Sequence, residues 1–151
     1  MKERVSLSPI ANSEGPEFLR MAERYFTELN PQFVARDDWR SGFFSRRDPD
    51  LNFQWILAGA RRAGFAIFGK ENHRFLPLTT GCVYEFYVLL EFRRTGVGRD
   101  AAKQVMDSLR RLSPSKIQLE IAQGNAAAAE FWQTMGFRKV SERYVLRETP
   151  Q

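Results

Sequence analysis

The feature that most limits how this chain can fold is a strand that runs through a glycine loop into a helix. The run from Cys82 to Leu90 is rich in branched and aromatic residues, which is typical of a central strand. The loop that follows has the sequence Arg93-Arg94-Thr95-Gly96-Val97-Gly98, and from Val97 apolar residues recur at helical spacing as far as Leu112. This order predicts a mixed α/β fold.

The same loop predicts a binding site for phosphate. The first N–H groups of a helix have no partner inside the helix, and together with the positive end of the helix dipole they attract anions. Gly96 and Gly98 allow a ligand to approach the backbone closely, while Arg93, Arg94 and Arg99 add positive charge. From the residues alone, a glycine turn with solvated arginines remains an equal alternative.

The rest of the chain shows alternating helical and strand patterns without repeats or linkers. We expect a single domain over residues 1–151, since 43% of the residues are apolar and can cover one core. In the first half of the chain, the predicted elements are a strand near Val5, a helix from Pro16 to Asn30, a short helix opened by Asp37, hairpin strands Phe53–Ala58 and Phe65–Phe68, and a polar loop Gly69–Thr80. In the second half they are a strand Lys116–Ile121, a helix that Asn125 caps and Gly136 ends, and a closing strand Val140–Leu146.

Composition narrows the classes of protein. A single cysteine, Cys82, cannot form an internal disulfide, and the lone His73 cannot complete a metal cluster, so no metal is expected. No apolar run approaches the roughly 18 residues of a membrane span, and the start does not resemble a secretory leader. We therefore expect a cytoplasmic protein without a membrane partner. The net charge of +5 slightly favours polyanionic ligands.

Two motifs resemble the GNAT superfamily of acyl-CoA-dependent N-acyltransferases. Val88-x-x-x-x-Arg93-x-x-Gly96-x-Gly98 is similar to its cofactor motif, and Asn125-x-x-Ala128-x-x-Phe131-Trp132-x-x-x-Gly136-Phe137 is similar to the motif that follows it. The spacing Gly96-x-Gly98-x-x-Ala101 also fits a dinucleotide fingerprint. That alternative is disfavoured, because the fingerprint follows an apparent antiparallel hairpin and too little chain remains for a second half.

The resemblance implies a mixed, mostly antiparallel sheet that splays at a parallel strand pair and is flanked by helices. It implies acetyl-CoA as cosubstrate, with the pantetheine arm paired in the gap like an added strand, and an amine acceptor as second partner. Nucleic acid is not expected, and homodimerisation is left open. The implied cofactor-binding residues are Val88, Leu89, Leu90, Arg93, Arg94, Thr95, Gly96, Val97, Gly98, Arg99 and Asn125.

Catalysis by this family requires a neutral amine, so a general base is expected. Glu120 lies five residues before Asn125, where the resemblance to bacterial N-terminal protein acetyltransferases implies a catalytic glutamate. Glu85 and Tyr87, on one face of the strand that enters the loop, are the alternatives. Trp132 stands where many relatives carry a tyrosine acid, and an indole cannot replace it. A noncatalytic acyl-CoA sensor that lacks the acid is therefore a competing hypothesis. A small basic nucleic-acid binder is a third hypothesis, consistent with the net charge of +5.

Overall fold

The structure is a computed structural model that describes residues 3–148. The chain divides into two compact units, one through Glu120 and one from Ile121. The first unit contains a five-stranded sheet and three helices, and the second contains one helix followed by chain without regular structure. No helix in the described range is long and apolar enough to cross a membrane.

The sheet has its strands in sequence order, which confirms the predicted mixed α/β fold. Each strand is antiparallel to the next from the first to the fourth, and the last pair is parallel. Parallel strands need a crossover connection, and here a helix supplies it. The strands are β1 (Val5–Pro9), β2 (Asn52–Ala58), β3 (Arg61–Asn72), β4 (Thr79–Val88) and β5 (Lys116–Leu119).

The described residues form four α-helices: α1 (Gly15–Leu29), α2 (Asp37–Gly42) and α3 (Val97–Arg110) in the first unit, and α4 (Ala126–Thr134) in the second. Pro16 lies in the first turn of α1, where its missing N–H costs nothing, and Asn30 before Pro31 closes the helix. α3 is strongly amphipathic and buries its apolar stripe, of which Ala101, Val105 and Leu109 are inaccessible to solvent. These helices agree with the predicted order.

The two faces of the sheet carry different cores. One face packs against α1 and α2 through an aromatic cluster centred on Phe18, whose ring is fully buried. The other packs against α3 through smaller side chains, including Ile56, Ala63 and Ala101. Tyr87 belongs to the first cluster, whereas Val88 packs against the second. The alternation of side chains along β4 therefore decides which residues face α1 and which face α3.

Two sequence predictions about strands are wrong. The segment Gly69–Thr80 is not mainly loop, because β3 extends to Asn72 and pairs with a β4 that begins at Thr79. The closing strand Val140–Leu146 is not formed, and its large apolar side chains, including Tyr144 at 88% exposure, are solvent-exposed. An alternating pattern favours a strand only where a neighbouring strand takes up its backbone groups, and the pattern itself does not reveal that neighbour.

Candidate functional site

The parallel ladder between β4 and β5 stops well before β4 ends. The two strands pair from Thr80 with Lys116 to Val83 with Leu119, while β4 continues as a strand to Val88. From Glu85 to Val88, β4 remains paired with β3 on its other side. Residues 84–88 thus form an edge of β4 that β5 leaves open, and we call it the open edge.

A β-bulge lies at the start of the open edge. β3 pairs Phe68 with Val83 and Ile67 with Glu85, so Tyr84 has no partner residue on β3, and the β5 ladder has already ended at Val83. A bulge of this kind re-aims side chains and leaves a residue outside the ladder, and bulges are frequent beside active sites. Tyr84 therefore lies outside both ladders, at the point where the two parallel strands separate.

The far end of the open edge has a defined orientation. The N–H of Leu89 donates to the carbonyl oxygen of Ala63 on β3 at 2.7 Å. Because successive residues of a strand direct their backbone groups to opposite sides, the backbone groups of Val88 point away from β3, towards the open side. A ligand with amide groups can pair with this edge as an additional strand does.

The open edge leads through a short turn at Leu90–Phe92 into the glycine loop. Arg94 has φ 61° and Gly96 has φ 88°, both in the left-handed region, which is rare for a residue such as arginine and is found preferentially at functional sites. The hydroxyl of Thr95 donates to the carbonyl oxygen of Phe92 at 2.5 Å and braces the turn. The loop is thus a folded element with a specific backbone shape.

The glycine loop ends at the N-terminus of α3, where no side chain caps the first N–H groups of the helix. Asp100 donates its N–H to the carbonyl oxygen of Gly96 at 3.0 Å, which is the first intrahelical bond. Gly96 is the N-cap and has no side chain to accept from the preceding amides, those of residues 97–99. These N–H groups and the helix dipole, with exposed Arg94 and Arg99 beside them, are what a pyrophosphate needs.

Arg93 lies between the loop and α1. Its Nε donates to the carbonyl oxygen of Val88 at 2.8 Å, and its Nη2 donates to Oε1 of Glu28 at 2.8 Å. The other oxygen of Glu28 accepts from the hydroxyl of Tyr87. Although desolvation opposes it, the hydrogen bonds from Tyr87 and Arg93 hold the pKa of Glu28 below its ordinary value. Burial, with the neighbouring Glu28 carboxylate, raises the pKa of Tyr87 to about 12.

Glu85 and Tyr87 do share one face of β4, as predicted, and both point towards α1. The hydroxyl of Tyr25 on α1 donates to Oε2 of Glu85. Burial raises the pKa of the Glu85 carboxyl above its ordinary value, and the Tyr25 hydrogen bond offsets only part of that rise. The rings of Tyr25 and Tyr87 lie 5.2 Å apart between their centroids. Glu85 is thus a half-buried carboxyl with a perturbed pKa, two residues beyond the end of the β5 ladder.

Glu120 has a more open environment. It follows Leu119, the last paired residue of β5, and its side chain is exposed. Continuing the parallel register by one position would bring it level with Tyr84, where the strands part. Its position is therefore at the mouth of the gap, but without the burial that sets Glu85 apart.

The second unit contains the remaining motif residues. Asn125 is the N-cap of α4, and its Oδ1 accepts from the N–H of Ala128 at 3.1 Å, which confirms the predicted capping role. Trp132 is only 7% exposed and lies edge-on to Phe131 and Phe137, with ring centroids 4.9 and 5.5 Å away. It has the environment of a packing residue.

Tyr25 and Glu28 were missed by the sequence reasoning. Tyr25 fell within the apolar stripe of α1 and Glu28 beside it, so both fitted an ordinary amphipathic helix. Their partners Glu85 and Tyr87 lie 60 and 59 residues further along the chain, and no local pattern predicts such pairs. The only signal available was that polar groups border the apolar stripe of a helix that covers a sheet.

Within residues 3–148, no three His, Cys, Asp or Glu side chains are grouped so that they could hold a metal ion. Cys82 is buried, and burial raises the pKa of its thiol. His73 is exposed in the loop between β3 and β4, where its Nδ1 accepts from the N–H groups of Phe75 and Leu76, each at 3.0 Å.

Comparison with known proteins adds a family and a set of similar folds. The family model described as "Acetyltransferase (GNAT) family" matches residues 15–137. No curated protein sequence matches the chain. Three solved structures illustrate the similarity in fold, with identities too low to indicate more than the fold.

The first is the ribosomal-protein-alanine N-acetyltransferase from Brucella melitensis biovar Abortus 2308, with TM-score 0.75, 18% identity, and coverage of 96% of this chain and 100% of that one. The second is an aminoglycoside acetyltransferase from an uncultured soil metagenomic sample in complex with sisomicin, with TM-score 0.73, 11% identity and 97% coverage of both chains. The third is a transcriptional regulator from Bacillus halodurans C-125, with TM-score 0.76, 12% identity, and 96% and 100% coverage.

Proposed function

The chain belongs to the acetyltransferase (GNAT) family, and from that membership we propose that it transfers an acetyl group from acetyl-CoA to a primary amine of a small molecule or peptide. The observation that carries the proposal is the open edge of β4, which runs directly into the glycine loop and the uncapped start of α3. Two consecutive surfaces of the chain thus match two consecutive parts of one ligand.

The open edge and the start of α3 each offer groups that can bind one part of acetyl-CoA. The pantetheine arm of acetyl-CoA carries amide groups that can hydrogen-bond along residues 84–88 as an added strand does. The pyrophosphate would accept from the amides of residues 97–99, with Arg94 and Arg99 supplying positive charge. With the arm along β4, the thioester would lie near the bulge at Tyr84, whose amide is a candidate donor to the thioester oxygen.

The transfer itself is a direct displacement. The amine nitrogen attacks the thioester carbon, the C–S bond breaks, and the nitrogen loses one proton to a base while CoA leaves as the thiolate. A lysine-like amine has a pKa of about 10.4, so a base that keeps the attacking nitrogen neutral accelerates the reaction. We assign this role to Glu85, acting directly or through water, because its raised pKa makes it a better base near neutrality than an ordinary carboxylate.

The acid that protonates the thiolate is assigned to solvent. Tyr87 is a poor candidate, because transfer from a phenol of pKa about 12 to a thiolate whose acid has a pKa of roughly 8.5 is uphill by about 5 kcal/mol. Trp132 has no acidic proton to give. Tyr144, another tyrosine that could be considered as the acid, is 88% exposed, and its hydroxyl donates a hydrogen bond to Glu142.

The acceptor is proposed only as a class. One structural neighbour carries the name of a ribosomal-protein-alanine acetyltransferase and another that of an aminoglycoside acetyltransferase. Both names describe acetylation of other molecules on this fold, and alanine and aminoglycosides both carry amino groups. A panel that includes peptide N-termini, lysine derivatives, aminoglycosides and simple polyamines therefore covers the proposal.

The decisive experiment changes the loop. Gly96→Asp places a side chain and a negative charge against the pyrophosphate at φ 88°, so it should abolish measurable CoA binding in titration calorimetry and CoA thiol release with the amine panel. The matched control is Ser113→Asp, which adds the same charge at an exposed residue of φ 52° beyond the other end of α3 and should bind CoA normally. Thermal unfolding of both variants verifies folding.

Two results would contradict parts of the proposal. Unchanged CoA affinity in Gly96→Asp would remove the loop from the binding site. Normal CoA binding by the wild type with no thiol release across the amine panel would favour the alternative, a noncatalytic acyl-CoA sensor. The packing environment of Trp132 at a position where relatives often place an acid is the observation that keeps this alternative in the test.

A further inference from the structure

The carboxylate of Glu28 joins three segments of the first unit that are distant in sequence. It projects from the last turns of α1, accepts from Tyr87 at the end of β4, and pairs with Arg93 at the start of the glycine loop. Each oxygen has a different donor, so both oxygens contribute to holding the segments in register. We call this group of three side chains the Glu28 clamp.

Arg93 is held from two directions within the clamp. Its Nη2 reaches Glu28 at 2.8 Å, while its Nε reaches the carbonyl oxygen of Val88, also at 2.8 Å. Its guanidinium carbon also lies 5.6 Å from the centroid of the Tyr87 ring. The guanidinium of Arg93 thus contacts Glu28, Val88 and Tyr87, and these contacts fix the start of the loop.

We propose that Glu28 is a positioning residue for acyl-CoA, which fixes Arg93 and thereby holds the glycine loop in its binding shape before the ligand arrives. The proposal rests on the proposed function for the identity of the ligand. Arg94 directly after Arg93 has φ 61° and Gly96 has φ 88°, so the loop must hold an uncommon backbone shape. Anchoring the first loop residue lowers the entropy that binding would otherwise lose in ordering that shape.

The clamp also gives the arginines of the loop region different roles. Arg93 anchors the loop, which leaves exposed Arg94 and Arg99 and the amides of α3 to meet the phosphates. Removing Glu28 should therefore weaken ligand binding without removing a ligand contact. The weakening should depend on Arg93, since Glu28 reaches the loop only through that side chain in the described contacts.

The first test is a double-mutant cycle on CoA affinity. Glu28→Ala should raise the Kd for CoA and the KM for acetyl-CoA about tenfold, with kcat at saturation changed less than threefold, the size expected for loss of one charged hydrogen bond. Glu28→Gln, which keeps one acceptor oxygen, should restore part of the affinity. In an Arg93→Ala background, Glu28→Ala should have no further effect on Kd beyond twofold.

The control lies on the same helix. Glu23 is another partly exposed acid of α1, and its ion-pair partner at 3.8 Å is Arg40 of α2 rather than a residue of the loop. Glu23→Ala should leave the Kd for CoA within twofold of the wild type. Equal weakening by Glu23→Ala would attribute the effect to the charge of α1 rather than to the clamp and would overturn the proposal.

The second test needs no ligand and separates this proposal from the proposed function. Amide hydrogen exchange of residues 94–99 in the unliganded protein should be about tenfold faster in Glu28→Ala than in the wild type, and unchanged in Glu23→Ala. Unchanged exchange in Glu28→Ala, or additive losses of affinity in the cycle, overturns the clamp. A wild type that fails to bind CoA while the exchange result holds overturns only the assignment of the ligand.

Discussion

Two glutamates near the gap between β4 and β5 have the same chemistry and different surroundings. Glu85 is half-buried against α1 and receives a hydrogen bond from Tyr25, whereas Glu120 is exposed after the last residue of β5. Burial disfavours the ionised form of a carboxyl, so the pKa of Glu85 is raised above its ordinary value. That difference makes the two candidates for the general base separable in solution.

Glu85→Gln should lower kcat by about 100-fold or more, the usual contribution of a positioned base. Because the base acts only when ionised and its pKa is raised above the ordinary 4.5, the wild-type rate should climb with pH through that higher value. The variant cannot ionise, so this acidic limb should disappear from its pH–rate profile. The profile is obtained from CoA thiol release at saturating acetyl-CoA.

Glu120→Gln is the matched comparison, because it makes the same change at the exposed residue. It should keep the acidic limb and most of the rate. Loss of the limb in Glu120→Gln and its survival in Glu85→Gln would instead make Glu120 the base, in agreement with the role that the family resemblance implies.

At the scale of the elements, α1 is held to the sheet by aromatic packing. Phe18 has no exposed surface, and its ring lies within 5.0 to 6.2 Å, centroid to centroid, of five other aromatic rings. α1 also carries Tyr25 and Glu28, which contact the face of β4 that bears Glu85 and Tyr87. The packing of this helix therefore sets the surroundings of the site.

Phe18→Ala should lower the free energy of unfolding by about 3–5 kcal/mol, because it removes a fully buried ring and leaves a cavity among aromatic neighbours that cannot collapse into it. Phe18→Leu should cost less, since it fills more of that volume. Urea unfolding followed by tryptophan fluorescence measures both. Phe75→Ala is the control at 82% exposure and should change the stability by less than about 0.5 kcal/mol.

At the scale of the whole molecule, acidification should have two opposite effects on the free energy of unfolding. Glu14 and Glu28 have pKa values lowered below 4.5 in the folded protein, so the stability that they contribute is present above 4.5 and is lost as the pH falls through their folded values. Glu85 has a raised pKa, so its burial penalty is present at neutral pH and is relieved as the pH falls through that raised value.

The free energy of unfolding should therefore rise slightly as the pH falls through the raised pKa of Glu85 towards 4.5, and should decrease at lower pH, where Glu14 and Glu28 become protonated. Urea unfolding across this range measures it. Glu85→Gln should remove the rise, and Glu28→Gln should reduce the fall at low pH. A monotonic loss of stability from pH 7 downwards in the wild type would contradict the raised pKa of Glu85.

Local sequence was sufficient for the order of the elements from β1 to α4 and for the position of the glycine loop. The amphipathic stripe of α3, the proline at the start of α1 and the cap at Asn125 are signals within one or two helical turns, so they could be recognised without any partner. The loop from Arg93 to Gly98 was recognised in the same way, because its glycines and the helix after it are contiguous. The resemblance to the family rested on two such contiguous motifs, and the family model over residues 15–137 confirms it.

Only the tertiary structure decided where strands pair and where they part. The end of the β5 ladder at Val83, the bulge at Tyr84 and the missing closing strand at Val140–Leu146 all depend on the presence or absence of a neighbouring strand. The Glu28 clamp joins residues 59 to 65 positions apart. Interactions over such separations depend on how the complete sheet packs against α1. The periodicity of a single segment therefore does not predict them.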